Sequence, residues 1–265
     1  MQQAEDFRTE TRVLAEVLEP LSDDAFFQTT QFKNWTIDDV LGHLHIFNHA
    51  AALALEGDGA FATFFAPITA ALRDGKSLLE VQYPWLDGLK GRALFEAWLA
   101  EAERVADVFA KADPKARLAW AGPSMSARSS ITARQMETWA HGQEVLDLLG
   151  VKRVETDRVK NIVVLGVNTF GWTHQVRGLP VPDQMPFVEL TAPSGTVWTF
   201  GDANARGRVS GSAVGFAQTV TQTRNWADTD VVAEGDVARF WMENAQCFAG
   251  ASETPPAKGA RYLED

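Results

Sequence analysis

Over the first 150 residues the apolar positions recur at helical spacing. In "AEDFRTETRVLAEVLEPL", Phe7, Val13, Leu14, Val17 and Leu18 fall near one helical stripe, and the run stops at Pro20. "WTIDDVLGHLHIFNHAAALAL" follows, with Thr36 placed as an N-cap and Asp39 three residues on, an acidic variant of the capping box. "AFATFFAPITAALRDG" and "RALFEAWLAEAERVADVFAKAD" are amphipathic in the same way, and Asp113-Pro114 closes the latter. A further helix runs through Glu137 and His141 and ends at Gly150.

From about residue 151 the pattern changes. "DRVKNIVVLGVNTFGWTHQVRG" predicts one more helix and "LPVPDQMP" a proline-rich connector. In "FVELTAPSGTVWTFG", the β-formers Val188, Leu190, Val197 and Trp198 flank Pro193-Ser194-Gly195, which predicts a hairpin over 187–200. "RGRVSG" predicts a short strand, "SAVGFAQTVTQTR" and "GDVARFWMENAQCFAG" two helices, and 251–265 a loose tail. The expected fold is therefore mainly α with an α+β part: a helical bundle over 1–152, a small α+β domain over 153–250, then the tail.

Composition narrows the function classes. A chain of 265 residues with 46% hydrophobic and 22% charged residues has the balance of a soluble globular protein, large enough for one large domain or two small ones. A net charge of -11 and no basic patch argue against a nucleic-acid partner. The N-terminus lacks a signal-peptide pattern, and no apolar run reaches membrane-spanning length. A single cysteine, Cys247, forms no internal disulfide, which fits a reducing compartment. The expectation is a cytoplasmic protein, monomer or homodimer, whose partners are small molecules.

The candidate chemistry sits in "QMETWAHGQEVLDLLG". At about 100° per residue, Arg134, Glu137, His141, Val145 and Leu148 share one sector less than a quarter-turn wide. Glu137 and His141, at i and i+4, stand side by side. That spacing suits two ligands of one metal, and equally a plain Glu-His hydrogen bond or a solvated edge. A metal needs a third ligand, and the other histidines are His43, His45, His49 and His174. The apolar face of the second helix is Ile37, Val40, Leu44, Phe47, Ala51 and Leu55; His43 lies at its margin and is the inward candidate. His45 and His49 point roughly the opposite way and are expected exposed, while His174 has no paired ligand and reads as structural. A His-Glu-His set from two bundle helices leaves open positions for water or substrate.

Those segments carry a family resemblance. "NWTIDDVLGHL" resembles the W-T-x-x-x-V-x-x-H-L segment, and "ETWAHGQEV" the E-x-x-x-H-x-x-[DE] segment, of the mycothiol-dependent maleylpyruvate isomerase-like branch of the DinB superfamily. The resemblance extends through "AWAGPSMSAR", "VELTAPSGTVWTFG" and "VTQTRNWADTDVVAEGD", so it spans most of the chain; the combination is specific where each piece is not. It implies a DinB-like four-helix bundle holding a divalent metal, usually zinc, on residues that match His43, Glu137 and His141, followed by a small α+β C-terminal domain. It also implies a low-molecular-weight thiol, mycothiol, glutathione or similar, used by an isomerase or S-transferase on a small electrophilic or unsaturated acid. A metal-dependent hydrolase and a non-catalytic metal-binding stress protein are the alternatives, since fold does not fix function.

Other residues carry paired readings. Glu144, where the family pattern commonly has Asp, either orients His141 or is an exposed helix carboxylate. Arg134 either binds a substrate carboxylate or forms a salt bridge. Arg224 matches a position where related chains have arginine, and is either a clamp for an anion or a helix C-terminal arginine favoured by the dipole. "GPSMSARSS" either lines a pocket mouth or leads to Ser130 as an N-cap. Trp35 is read as packing near the start of the second helix, and Cys247 as a buried apolar residue.

Overall fold

The computed structural model describes residues 1–204 and 206–261, and the chain divides into two units, residues 1–149 and the remainder from Gly150. The first unit holds α1 (Gln2–Leu18), α2 (Ile37–Glu56), α3 (Asp58–Arg73), α4 (Leu78–Leu86), α5 (Gly91–Lys111) and α6 (Ala127–Leu148). The four long helices form the bundle: α1 packs on α5 and α6, and α2 packs on the same two. At the start of α2 the capping box is complete, with Thr36 Oγ1 accepting from the Asp39 amide at 3.1 Å and the Asp39 carboxylate accepting from the Thr36 amide at 2.9 Å. Two apolar clusters fill the interior. One gathers Phe7, Phe61, Phe65, Phe109 and Ile131, the other Leu18, Phe26, Trp35, Leu41, Trp98 and Val145. Each such side chain contributes roughly 1.5–3 kcal/mol by leaving water.

Helix α4 is not among the elements the sequence pattern predicts, although its Ser77–Glu80 capping box is present in the sequence. It changes the environment of α2. Gln82 donates to the Asp39 carbonyl at 3.0 Å, and the Tyr83 hydroxyl donates to Asp39 Oδ1 at 2.6 Å. Trp85 covers His45 and His49, with ring centroids 5.1 and 5.5 Å away. Those two histidines, expected exposed, are therefore half-buried. A short hairpin of β1 (Arg117–Leu118) and β2 (Met125–Ser126) leads directly into α6. The α6 cap is Ser126, whose Oγ accepts from the Ser129 amide at 3.1 Å; Ser130 lies inside the helix.

The second unit holds α7 (Lys160–Asn168), α8 (Phe170–Gln175), β3 (Phe187–Thr191), β4 (Val197–Phe200), β5 (Arg208–Ser212), α9 (Ala213–Val220), β6 (Val232–Glu234) and α10 (Asp236–Asn244). Its sheet runs β4-β3-β5-β6. The hairpin β3–β4 is antiparallel with Leu190 opposite Trp198, β3 and β5 are parallel, and β5 and β6 antiparallel. The single helix expected over 157–178 is two helices. It breaks at Thr169, whose hydroxyl turns back to the carbonyls of Leu165 at 2.8 Å and Gly166 at 3.0 Å. Helix α10 stops at Asn244, short of the expected end, and the Cys247 amide donates to Val220 O at 2.9 Å instead.

The segment expected as a loose tail is tied down as far as it is described. Gln246 Nε2 donates to Ala251 O at 2.9 Å, and its Oε1 accepts from the Glu253 amide at 3.0 Å. Arg177 donates to Glu253 O at 2.9 Å, Asn225 to Pro256 O at 2.8 Å, and Arg261 to Gln222 O at 3.0 Å. The strap thus docks on the turn after α9, where Gln222 adopts a left-handed conformation (φ 58°) and donates to Ala245 O at 2.9 Å. Residues 262–265 of the expected tail lie outside the described residues. Among the described residues no helix is long and apolar enough to cross a membrane.

Candidate metal centre

His43 comes from α2, and Glu137 and His141 from successive turns of α6. The Nε2 atoms of His43 and His141 each lie 3.4 Å from the same carboxylate oxygen, Glu137 Oε2. One ligand atom from each residue lies within 4.8 Å of the other two. The structure therefore brings together the three residues picked out by helix geometry. Their side chains retain 9% (His43), 21% (Glu137) and 10% (His141) of full exposure, so the approach from solvent is by the carboxylate.

Protonation follows from burial. Burial pushes the His43 imidazolium down to about 4, against the raising effect of its hydrogen bond with Glu137. Burial alone would push the Glu137 carboxyl up, but hydrogen bonds from His141 and His43 hold it well below the usual carboxylate range. At neutral pH His43 is neutral and Glu137 ionised, the forms in which such residues ligate a metal. The Nδ1 atoms of both histidines are buried with no hydrogen-bond partner, so the rings are held by packing. Trp35 stacks on His141 (6.0 Å, 14°) and lies 5.4 Å from His43; Phe32 meets His141 edge-on at 5.0 Å and Phe47 meets His43 at 4.8 Å. Two nitrogens and one carboxylate converging in a pocket walled by aromatic rings fit a divalent metal with three protein ligands.

Phe32 is the residue that sequence reasoning missed here, and Trp35, read as packing near the start of α2, packs on the two histidines themselves. Their placement depends on Lys33 and Asn34, two consecutive left-handed residues (φ 48° and 57°), and on Thr30, whose hydroxyl donates to Trp35 O at 2.8 Å. Glu144 is buried and partnered, but it does not orient His141, whose Nδ1 has no partner. At i+3 it stands about 60° further round the helix. Arg134 is buried on α6 and donates through Nε to Asn48 Oδ1 at 2.9 Å. The hairpin before α6 sends Trp120 to within 6.2 Å of the Phe47 ring. Arg224 sits in the second unit, half-buried on the turn after α9, with Nη1 donating to Thr223 O at 2.9 Å.

Residues 7–146 match the family model described as the mycothiol maleylpyruvate isomerase N-terminal domain, a match that takes in all three converging residues. The chain belongs to this family. Two Mycobacterium tuberculosis relatives, uncharacterized proteins MT0041 (strain CDC 1551 / Oshkosh) and Rv0036c (strain ATCC 25618 / H37Rv), are each 36% identical over 254 residues. The alignments cover 96% of this chain and 96% of theirs. The crystal structure of the mycothiol-dependent maleylpyruvate isomerase is similar with a TM-score of 0.55 at 15% identity, covering 88% of this chain and 91% of that one. A point mutant of the same enzyme gives 0.54 at 16% identity, with the same coverage. At these identities the likeness is one of fold, a helical part followed by an α+β part. For a member of the mycothiol maleylpyruvate isomerase N-terminal domain family, the trio on α2 and α6 is the natural place to look for chemistry.

Proposed function

We propose that this protein is a metal-dependent enzyme, with zinc on His43, Glu137 and His141, that uses a low-molecular-weight thiol such as mycothiol or glutathione. It acts as an isomerase or S-transferase on a small electrophilic or unsaturated acid. The observation that carries the reading is the convergence of two imidazole nitrogens, from His43 and His141, on the ionised Glu137 carboxylate, the most exposed of the three side chains. Family membership, together with the likeness in fold to a mycothiol-dependent isomerase, supports the thiol.

A divalent metal bound there supplies a Lewis acid that brings a thiol's pKa toward neutrality. The protein's own residues do the rest. His43 and His141 present Nε2 and Glu137 presents Oε2, while Trp35, Phe32 and Phe47 fix the imidazoles and limit water. A thiolate adding to one carbon of a conjugated double bond turns that bond into a single bond, and its electron pair passes to the conjugated acyl group. Rotation followed by loss of the same thiolate restores the double bond in the trans geometry and returns the thiol.

Two measurements test the reading. Elemental analysis should show bound metal sharply reduced in His43→Ala, Glu137→Ala and His141→Ala, and retained in His45→Ala and His49→Ala. Calorimetry of metal-loaded protein with mycothiol, glutathione and cysteine, in buffers of different ionisation enthalpy, should show binding with proton release that tightens as pH rises, because the thiolate is the species taken up. Binding by none of these thiols, with or without an electrophilic co-substrate, sinks the thiol mechanism and leaves a hydrolase.

A further inference from the structure

Arg134 stands one turn before Glu137 and is 2% exposed. Its contacts are neutral ones: Nε donates to Asn48 Oδ1 at 2.9 Å, Nη2 reaches Leu44 O at 3.5 Å, and the guanidinium lies 6.0 Å from the centre of the Phe47 ring. Among the described residues no carboxylate comes within ion-pair distance of it. The charge that acts on it is that of Glu137, whose own oxygen is shared by two histidines. Its field in turn reaches His43, which places the cation beside the trio. A buried charge without a counter-ion is costly, and the guanidinium stays charged under such conditions.

Asn48 supplies the second observation. It is 0% exposed, its Oδ1 is engaged by Arg134, and its Nδ2 is a buried donor with no partner. A cation and an idle amide donor, joined to each other and packed against the Phe47 wall that His43 also meets, are the donor set that a carboxylate needs. We propose that Arg134 and Asn48 form a buried subsite for the carboxylate of a small acid, separate from the position taken by the thiol. Calling that acid the substrate rests on the function proposed above; the subsite itself does not. The charge balance agrees. With a divalent cation on the trio, Glu137 and Arg134 together leave a local charge of plus two, which one thiolate and one carboxylate cancel.

The experiment uses full-length protein, both chelator-treated and zinc-loaded, with crotonate as probe and crotonamide as its uncharged control, read by calorimetry. Asn48→Asp places a carboxylate on the atom that Arg134 already touches, supplying the counter-ion internally, and Arg134→Met removes the charge at similar bulk. Crotonate should bind the parent in both forms and crotonamide should not. Both variants should weaken crotonate by about tenfold or more, keep their zinc, and melt no lower than the parent. Unchanged crotonate affinity in Asn48→Asp overturns the subsite, as does absence of crotonate binding to the parent. An Arg134→Met variant that melts lower while Asn48→Asp binds crotonate like the parent marks Arg134 as a structural cation and also overturns it. Arg134-dependent crotonate binding in a protein that takes up no thiol upholds the subsite and removes the thiol reading alone.

Discussion

Gln246 in the α+β unit and Asn48 in the bundle are both amides at 1% exposure or less, and they are treated in opposite ways. The Gln246 amide is fully used: its nitrogen donates to Ala251 O and Phe248 O, and its oxygen accepts from the Glu253 amide. Asn48 uses only its oxygen. The contrast holds around each of them. Thr173, His174, Thr221, Gln222 and Thr223 are buried in the second unit with hydrogen bonds to the backbone or to one another. Thr11, His43, Thr138 and His141 are buried in the bundle with a side-chain atom left unpaired. Paired buried polar atoms hold a fold together; the idle donor of Asn48, bonded to the Arg134 that stands one turn before Glu137, is what the proposed anion subsite rests on.

The largest expected effect comes from acid. His43 is held down to about 4 in the folded protein against about 6.5 in the unfolded chain. On lowering the pH the unfolded chain therefore takes up the proton first. The contribution is full above 6.5 and is lost as pH falls from 6.5 toward 4, roughly 3 kcal/mol in all. Glu137, also depressed, adds a loss of the same sign at lower pH. Urea unfolding of chelator-treated protein at pH 7.5 and 4.5 should show this drop, and His43→Gln should flatten it. A parent curve as flat as that of the variant would mean that His43 is not buried in the way described.

In the second unit the comparison is sharpened by Gln246→Leu, which keeps the bulk and strands Ala251 O and the Glu253 amide. The expected cost is about 1–2 kcal/mol, since water reaches the exposed Ala251 and the half-buried Glu253, read as a lower urea midpoint, with faster amide exchange along 251–261. Unchanged exchange there would show that the strap is held by packing alone.

What was legible in the sequence follows the same division. Helices α1, α2, α5 and α6 are long enough for several turns of period, and Thr36–Asp39 marks a helix start, so local pattern suffices. The trio was legible because i,i+4 spacing and a position at the margin of an apolar face are also local. Helix α4 carries Pro84 inside its nine residues, a type that reads as a helix breaker, and β6 has three residues, too few for a period to show. Missing α4 is what made His45 and His49 look exposed. The strap depends on Gln222 and Gln246 meeting residues that only the folded chain brings to them. The aromatic wall depends on Lys33 and Asn34 both turning left-handed; Asn34 is a type that tolerates this conformation, but nothing local marks Lys33 for it.

The smallest effects are the most discriminating, because they differ in sign. Thr138 and Thr173 are both buried helical threonines, and valine replaces either at nearly the same volume and helix propensity. The Thr173 hydroxyl accepts from the backbone N–H of Gln246 at 3.3 Å, so Thr173→Val leaves that buried N–H unpaired and should cost about 1 kcal/mol. The Thr138 hydroxyl has no partner. Thr138→Val removes a polar group that lost its water on folding and gained nothing for it, and should stabilise by about 1 kcal/mol. Bound metal should stay unchanged, since Thr138 is not one of the three converging residues. Paired urea titrations decide the matter. If both changes destabilise, the Thr138 hydroxyl is satisfied in solution, and the contrast between idle and paired polar groups shrinks to Asn48 and the two histidines.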